Sequence, residues 1–484
     1  MAHEKQGGIF LTETNARLFS VAVFSLFFSW MLAFPFEGRI LYALADLYNI
    51  DVGSFVFGAI AAVFLGLLLC GFFVKTMRSA KRLILFSIAF CGAASGVFFF
   101  PPSVLWAAAL FSSSLLAGSC VAAWAFYFKG CSPKDDRIRM MADGLIGSNL
   151  LMTVLNMAAV YLSPRIGLGL SMLALAAAFL LALRLPGRCA DAAPAPASQE
   201  EPVVGLVKPL AFLCLFIVVI TVNSGLMYQV VNPAFAHLEW LTGWYWAVPY
   251  VAALFIMRNL SSKVNRTYIL YTAIAMIGFS FLGFVSLDRS AAAYLVIDTL
   301  MLGACGIYDL FWWSILGDML EFRKNPAMIL GLGLSANVLG VLLGGLTGRL
   351  IFSPDLSGHD STLLALGVVC VTLALLPPLY ANLSSLLKDH VYLTAPSEKR
   401  MPEPYGEIDR TAKFENLSER ENQVASLLLQ GKTYRMIADE LHISENTVKY
   451  YIKNIYSKLH IRSRSELIAL ILEKKQPAPP SLSH

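Results

Sequence analysis

The sequence predicts an all-α protein: a twelve-helix membrane bundle followed by a small soluble helical module. Three observations predict it. Hydrophobic residues make up 57% of the 484-residue chain and charged residues only 14%, whereas an ordinary soluble protein holds about 45–50% and about 25%. Apolar runs long enough to cross a bilayer, about 20 residues each, recur as far as residue 387. From about residue 416 the pattern changes to short amphipathic segments punctuated by polar caps.

The spans fall near 17–36, 53–74, 83–101, 103–128, 141–163 and 166–185, then 209–231, 243–257, 268–287, 292–316, 328–351 and 362–387. Between the sets lies the stretch PGRCADAAPAPASQEEP, whose Pro/Ala-rich hydrophilic composition is that of a linker. The membrane domain is therefore read as 17–387, in halves 17–185 and 209–387 joined by 186–208, with 1–16 as an N-terminal tail. No small-residue cleavage site follows the first apolar run, Leu18 to Phe36, so that run reads as a first anchor and not as a removed signal.

Positive charge sets the expected orientation. Sixteen basic residues lie in the even-to-odd loops: Lys75, Arg78, Lys81, Arg82, Lys129, Lys134, Arg137, Arg139, Arg184, Arg188, Lys208, Arg258, Lys263, Arg266, Arg323 and Lys324. The odd-to-even loops and their borders hold four, Arg39, Arg165, Arg289 and Arg349. The positive-inside rule then places both termini in the cytoplasm of a multi-pass inner-membrane protein, and the C-terminal module beside the DNA.

Six spans, a linker and six more spans with both ends inside resemble the major facilitator superfamily, over residues 15–387. That family carries a Gly, an Asp-Arg pair and a basic cluster between spans two and three. Here GFFVKTMRSAKR keeps Gly71 and the basic cluster but lacks the Asp-Arg element, and the matching MRNLSSKVNR keeps Arg258, Lys263 and Arg266. The departure favours a bundle that senses over one that pumps.

Ionisable groups in hydrocarbon are costly and face a cavity or a partner. Asp298 and Asp309 both fall in the tenth span, and their eleven-residue separation leaves them on one helix face, roughly 16 Å apart along the axis. They either line a central cavity, with Tyr308 and Phe311-Trp312-Trp313, or pair with neighbouring helices. Glu37 and Arg39 close the first span as a cavity gate or as an interfacial ion pair. Asn223 and Asn232, Asn149 and Asn156, and Asn337 either line a cavity or bond between helices. Asp298, Asp309, Asn223 and Glu37 are the candidate ligand-sensing residues. Gly340, Gly344 and Gly348 recur every four residues in span eleven, a flat face for close packing within the bundle or across a dimer. Trp244-Tyr245-Trp246 reads as an interfacial belt. The eight cysteines form no CxxC pair and read as packing residues of a reduced protein. No nucleophile–base pair, metal-ligand cluster or phosphate loop stands out, so neither an enzyme, a metal nor a cofactor is expected.

Residues 388–415 read as a second linker, 416–475 as the soluble module and 476–484 as a tail. Ser418-x-x-Glu421 is a capping box opening the first module helix, with Val424, Leu427 and Leu428 inward. Gly431 stops it. Thr433 opens the second helix, with Ile437, Ala438 and Leu441 buried. After the His442-Ile443 turn, Ser444 caps the third, and Ser463-x-x-Glu466 opens the fourth. On the third helix Val448, Ile452, Ile455 and Leu459 share one inward stripe. The opposite arc holds Asn446, Lys449, Tyr450, Lys453 and Ser457, suited to a DNA major groove.

This order resembles the LuxR-type helix-turn-helix, over about residues 414–475. The resemblance rests on Leu417-Ser418-Glu419-Arg420-Glu421, Gly431, Ile437-Ala438-Asp439-Glu440-Leu441, Ile443-Ser444-Glu445-Asn446-Thr447-Val448-Lys449, Asn454-Ile455, Lys458-Leu459 and Ser463-Arg464. Tyr451 stands where the family usually has His, and His460 replaces a common Gly. The resemblance implies base-facing positions at Asn446, Lys449, Tyr450 and Lys453, and phosphate contacts from Lys432, Thr447, Lys458 and Arg464. It also implies homodimerisation through Leu467, Ile468, Ile471 and Leu472, against which a thicker monomeric core is the alternative. The expected whole is a bacterial membrane-embedded transcription regulator. Its partners would be double-stranded promoter DNA, membrane lipid and an undetermined small-molecule ligand. A transporter that also regulates transcription is the alternative.

Overall fold

The computed structural model describes residues 13–51, 53–131, 136–187, 203–260, 266–351, 358–387, 417–429, 432, 434–459, 461 and 466–467. Contacts divide the chain into two compact units, Met1–Pro396 and Ser397–His484.

Among the described residues the first unit holds twelve long helices: α1 (Glu13–Ala33), α2 (Gly53–Phe73), α3 (Met77–Ser95), α4 (Val104–Ala123), α5 (Arg137–Met157), α6 (Pro164–Leu183), α7 (Val203–Leu226), α8 (Ala247–Asn259), α9 (Arg266–Ser286), α10 (Ala291–Met319), α11 (Pro326–Ile351) and α12 (Gly358–Leu386). Each falls on an expected span, and the described residues are almost wholly helical. Among the described residues, eleven helices are long and apolar enough to cross a membrane by themselves. The eighth span departs from expectation. It is a bent pair, Ala236–Thr242 and Ala247–Asn259, meeting at 45°. Trp244-Tyr245-Trp246, read from sequence as an interfacial belt, forms the turn between the two pieces, and there an apolar run conceals a break.

Two starts move as well. α3 begins at Met77 because Thr76 caps it, Ser79 N–H donating to Thr76 Oγ1 at 3.2 Å. α5 begins at Arg137 and not near 141, which draws that arginine into the bundle at 2% exposure.

Packing places the interior. α10 and α11 are 61% and 67% buried over their spans, against 28% for α12. α11 lies along α7 and α2. A Cβ on Gly340 would collide with Val218 O and Thr221 Oγ1, and one on Gly344 with Val222 O, while Gly225 of α7 meets Val341 O in return. The glycine face of α11 is thus a packing face within the bundle. α5 and α7 each end in a π-helical turn, Ala158–Leu162 and Met227–Val231, a local widening often found at functional sites.

The second unit contains α13 (Glu419–Leu429), α14 (Tyr434–Leu441) and α15 (Glu445–Lys458). Their core comprises Val424, Leu427, Leu428, Ile437, Ala438, Val448, Ile452 and Ile455, joined by Leu417, Ala425, Ile461 and Leu467. Leu441 and Leu459, expected inside, are only partly buried. The capping box is reciprocal: Ser418 N–H donates to Glu421 Oε2 at 2.8 Å and Glu421 N–H to Ser418 Oγ at 3.3 Å. His442 takes a left-handed φ of 51° between α14 and α15, and Ser444 Oγ caps α15 by accepting from Thr447 N–H at 3.1 Å. Gly431, Thr433, Ser463 and Arg464 lie outside the described residues, as do most of the expected fourth helix and both expected linkers.

Candidate functional site

Between the two halves of the membrane unit lies a cavity of about 700 Å³, within the range of small-molecule sites. α10 supplies its spine, and Asp298 and Asp309 both line it, as one helix face requires. Tyr250 of α8 donates to Asp309 Oδ2 at 2.5 Å. Asp298 is 5% exposed, and its Oδ2 is buried without a hydrogen-bond partner. Glu37 also lines the cavity, accepting from Tyr42 Oη at 2.8 Å, in a backbone turn with φ of 52°. Asn149, Asn156, Asn232 and Asn337 are in the lining too. Asn223 is not: it is 4% exposed, and the neighbouring Ser224 takes the cavity position. Trp246, assigned from sequence to an interfacial belt, lines the cavity.

The lining reaches the odd-to-even loops through Glu37, Asp51, Glu239 and Arg349. At the opposite end the halves are tied together. Arg137 of α5 donates to Gly317 O at 3.0 Å and pairs with Glu321 and, at 3.7 Å, with Asp318. Lys129 donates to Leu320 O at 2.9 Å and to Arg323 O at 3.2 Å. Arg258 grips Asp143 through two bonds, 2.5 and 3.2 Å long, a forked geometry among the stronger charge-assisted contacts. Asn325 Nδ2 donates to Gly71 O at 2.6 Å. Sequence reasoning counted Arg137, Lys129 and Arg258 only as loop charges. Asp318 and Glu321, immediately beyond the apolar run of span ten, were the available signal that those cations have partners.

The module presents a second surface. Asn446, Lys449, Tyr450 and Lys453 are all exposed along α15, Tyr450 at 62%, opposite the buried Val448, Ile452 and Ile455. Three of the residues expected at phosphates, Lys458, Lys432 and Thr447, make contacts within the module. Lys458 Nζ donates to Glu421 Oε2 at 2.7 Å, fastening α15 to the start of α13. Lys432 pairs with Glu440, and Thr447 Oγ1 shares a 2.8 Å hydrogen bond with Ser444. These groups hold the module's own helices in place. The hydrogen bond from Lys458, reinforced by the backbone and hydroxyl of Ser418, holds the Glu421 carboxyl below its ordinary 4.5 against the opposing effect of burial. Leu467 is fully buried in the module core, so its side chain does not face outward to a partner. Ile468, Ile471 and Leu472 lie outside the described residues.

Comparison with known proteins separates the two units. Across 76% of its length the chain has the fold of a bacterial homologue of the iron transporter ferroportin in an outward-facing state, with a TM-score of 0.57, 14% identity and 98% of that chain covered. It is similar in fold to the human organic anion transporter MFSD10, with a TM-score of 0.55 and 14% identity over 75% of this chain and 98% of that one. The membrane unit therefore shares the fold of these transporters. Residues 415–471 match the model of the bacterial regulatory proteins of the luxR family. The spore germination protein GerE of Bacillus subtilis is 45% identical over 56 residues, 12% of this chain and 76% of GerE. The nitrate/nitrite response regulator NarP of Escherichia coli is 44% identical over 62 residues, 13% of this chain but only 29% of NarP. The chain spans about a third of the length of several such relatives, 33% and 35% in two further cases. By its C-terminal helix-turn-helix, the chain belongs to the luxR family of bacterial regulatory proteins.

Proposed function

We propose that the chain is a membrane-embedded transcriptional regulator whose facilitator-like bundle senses a small molecule and whose LuxR-type module binds promoter DNA. The single observation that carries this reading is a polar cavity between two halves clamped by ion pairs at one end, in the same chain as a DNA-binding module. A ligand that binds the clamped and released forms with different affinity changes their ratio, and any output that follows that ratio becomes ligand-dependent. A coupling of about 1–3 kcal/mol corresponds to several-fold to about a hundredfold in promoter occupancy.

In this reading residues 17–387 are the sensor, 388–415 the connector and 416–475 the output. Both termini are in the cytoplasm of a bacterial inner membrane. Asn446, Lys449, Tyr450 and Lys453 face base edges, and two copies pair on DNA through the fourth module helix, with Ile468, Ile471 and Leu472 as contacts. Asp298 and Asp309 are the ligand-contacting carboxylates, with Glu37 at the mouth. Reporter fusions near residue 235 and at the C-terminus are expected to report opposite sides of the membrane.

The test is promoter output from the full chain carrying Asp309→Asn. Several-fold altered output is expected at equal protein level, with ligand-independent DNA binding by the full chain intact. Output identical to the unaltered chain contradicts the reading. A second reading, a transporter that also regulates, draws on the same clamp, because closing one end of a central site is what alternating access requires. Saturable uptake of the inducer into vesicles containing only this protein would favour it over pure sensing.

A further inference from the structure

We propose that the cavity takes a small organic cation, an ammonium or amidinium group on an aromatic or apolar body; this rests on the ligand-site reading above. Charge is the first argument. The lining carries six carboxylates against two guanidiniums, Arg39 and Arg349, and no lysine or histidine among the described residues. Both arginines sit at the mouth. Arg349 is already engaged, stacked 4.1 Å from the Phe57 ring centroid and 3.5 Å from Gln229 Oε1. Among the described residues neither Asp298 nor Asp309 makes an ion pair, although Arg39 acts on the Tyr294 hydroxyl beside Asp298. Past the mouth, a carboxylate ligand would meet the two α10 carboxylates with no cation facing it, whereas a cation would relieve that charge.

Hydrogen-bonding capacity is the second, independent argument. Four buried side-chain atoms in the lining lack partners: Asp298 Oδ2, Asn156 Oδ1, Thr242 Oγ1 and Trp312 Nε1. Buried polar groups without partners are rare and costly. Two of these atoms accept only, one both accepts and donates, and only the indole is a pure donor. Their complement is a ligand rich in N–H donors with a single acceptor. The walls are the third argument. Trp246, Trp312, Trp313 and Tyr250 line the cavity, and aromatic faces attract desolvated cations. Asp298 is the group placed to receive the cationic head: Tyr294 is beside it, but its Oδ2 stands without a partner, whereas Asp309 Oδ2 already holds the Tyr250 hydroxyl.

The test uses the purified full chain in lipid nanodiscs and three probes of matched size: 2-phenylethylammonium, 3-phenylpropionate and 3-phenylpropanol. Quenching of the cavity tryptophans is followed as each is added. Saturable quenching by the ammonium is expected, with the carboxylate at least tenfold weaker. Asp298→Asn is expected to weaken the ammonium about tenfold or more, as loss of one charge-assisted hydrogen bond does, and to leave the neutral alcohol unaffected. Asp298→Glu, which keeps the charge, is expected to recover part of the affinity and controls for misfolding. Tighter binding of the carboxylate or alcohol than of the ammonium, or ammonium binding indifferent to Asp298→Asn, overturns the cation proposal while leaving a ligand site standing. Saturable binding of none of the three removes both the proposal and the ligand-site reading beneath it.

Discussion

The two units of this chain treat polar groups in opposite ways. In the module the buried Glu421 is partnered, its Oε2 accepting from Lys458 and from Ser418 N–H, and its own N–H donating to the Ser418 hydroxyl. In the membrane unit buried polar atoms stand without partners, and Asn156 Oδ1, Thr242 Oγ1, Asp298 Oδ2 and Trp312 Nε1 face the cavity. Among its described residues the module has no buried side-chain polar atom without a partner, and it offers its chemistry on an exposed arc. The bundle keeps its chemistry inside, incomplete. A satisfied interior fixes one structure; an unsatisfied one that encloses a cavity suits a ligand that completes it. The same contrast holds within the bundle, where one end is clamped by Arg137, Lys129 and Arg258 and the other is open to the loops bearing Glu37 and Arg349.

The largest expected effect lies at the clamp. Arg137→Ala removes a cation of 2% exposure from Asp318, Glu321 and Gly317 O. The clamped form should lose about 3 kcal/mol, the low end for a broken buried pair because both acids are partly exposed. Thiol-labelling of Cys131, which lies at that end in the half-buried class, should accelerate; unchanged labelling would show that the clamp is decorative.

Next comes the DNA surface. Lys449→Ala in the 405–484 segment should cost about 1–3 kcal/mol at a selected site if it contacts a base edge, with thermal stability unchanged. Lys458→Ala should do the reverse: it strips the partner from buried Glu421 and lowers module stability by about 1–2 kcal/mol. Parallel melting curves and binding isotherms separate the two lysines. A loss of DNA affinity for Lys458→Ala without loss of stability would return it to the phosphate contacts.

The smallest effect is on pH. Because the folded carboxyl of Glu421 is held below its ordinary 4.5, its contribution is present above that value and lost as pH falls through the lower folded value. Module stability should therefore decline below about pH 4.5, and Glu421→Gln should flatten that acid limb. An acid limb indifferent to the substitution would assign it to other carboxylates.

The sequence disclosed these regions unequally, for physical reasons. Module helices are short and amphipathic, so Val448, Ile452 and Ile455 announce their own inward face, and capping residues such as Ser418 and Ser444 mark their own positions. Apolar spans disclose only their number and approximate ends, because lipid and protein interior select the same side chains. The two aspartates of α10 could be placed on one face from their spacing alone. The pairing of Arg258 with Asp143, and the replacement of Asn223 by Ser224 in the lining, depend on how helices rotate against one another. The break before α8 was masked by apolar aromatics that serve equally well in a turn. Lys458 looked like a free cation because its partner Glu421 lies 37 residues away.

The central claim is that the state of the bundle governs the DNA-binding module. Its most direct test replaces Asp143 and Arg258, the two ends of one clamp contact, with cysteine in a background lacking the eight native cysteines. Binding of the full chain in nanodiscs to a DNA site selected by the 405–484 segment is then measured before cross-linking, after cross-linking and after reduction. The account predicts that locking the clamp shifts DNA affinity several-fold, within the usual range for coupled sites, and that reduction restores it. Affinity identical in the locked and reduced states, with cross-linking complete, would contradict it.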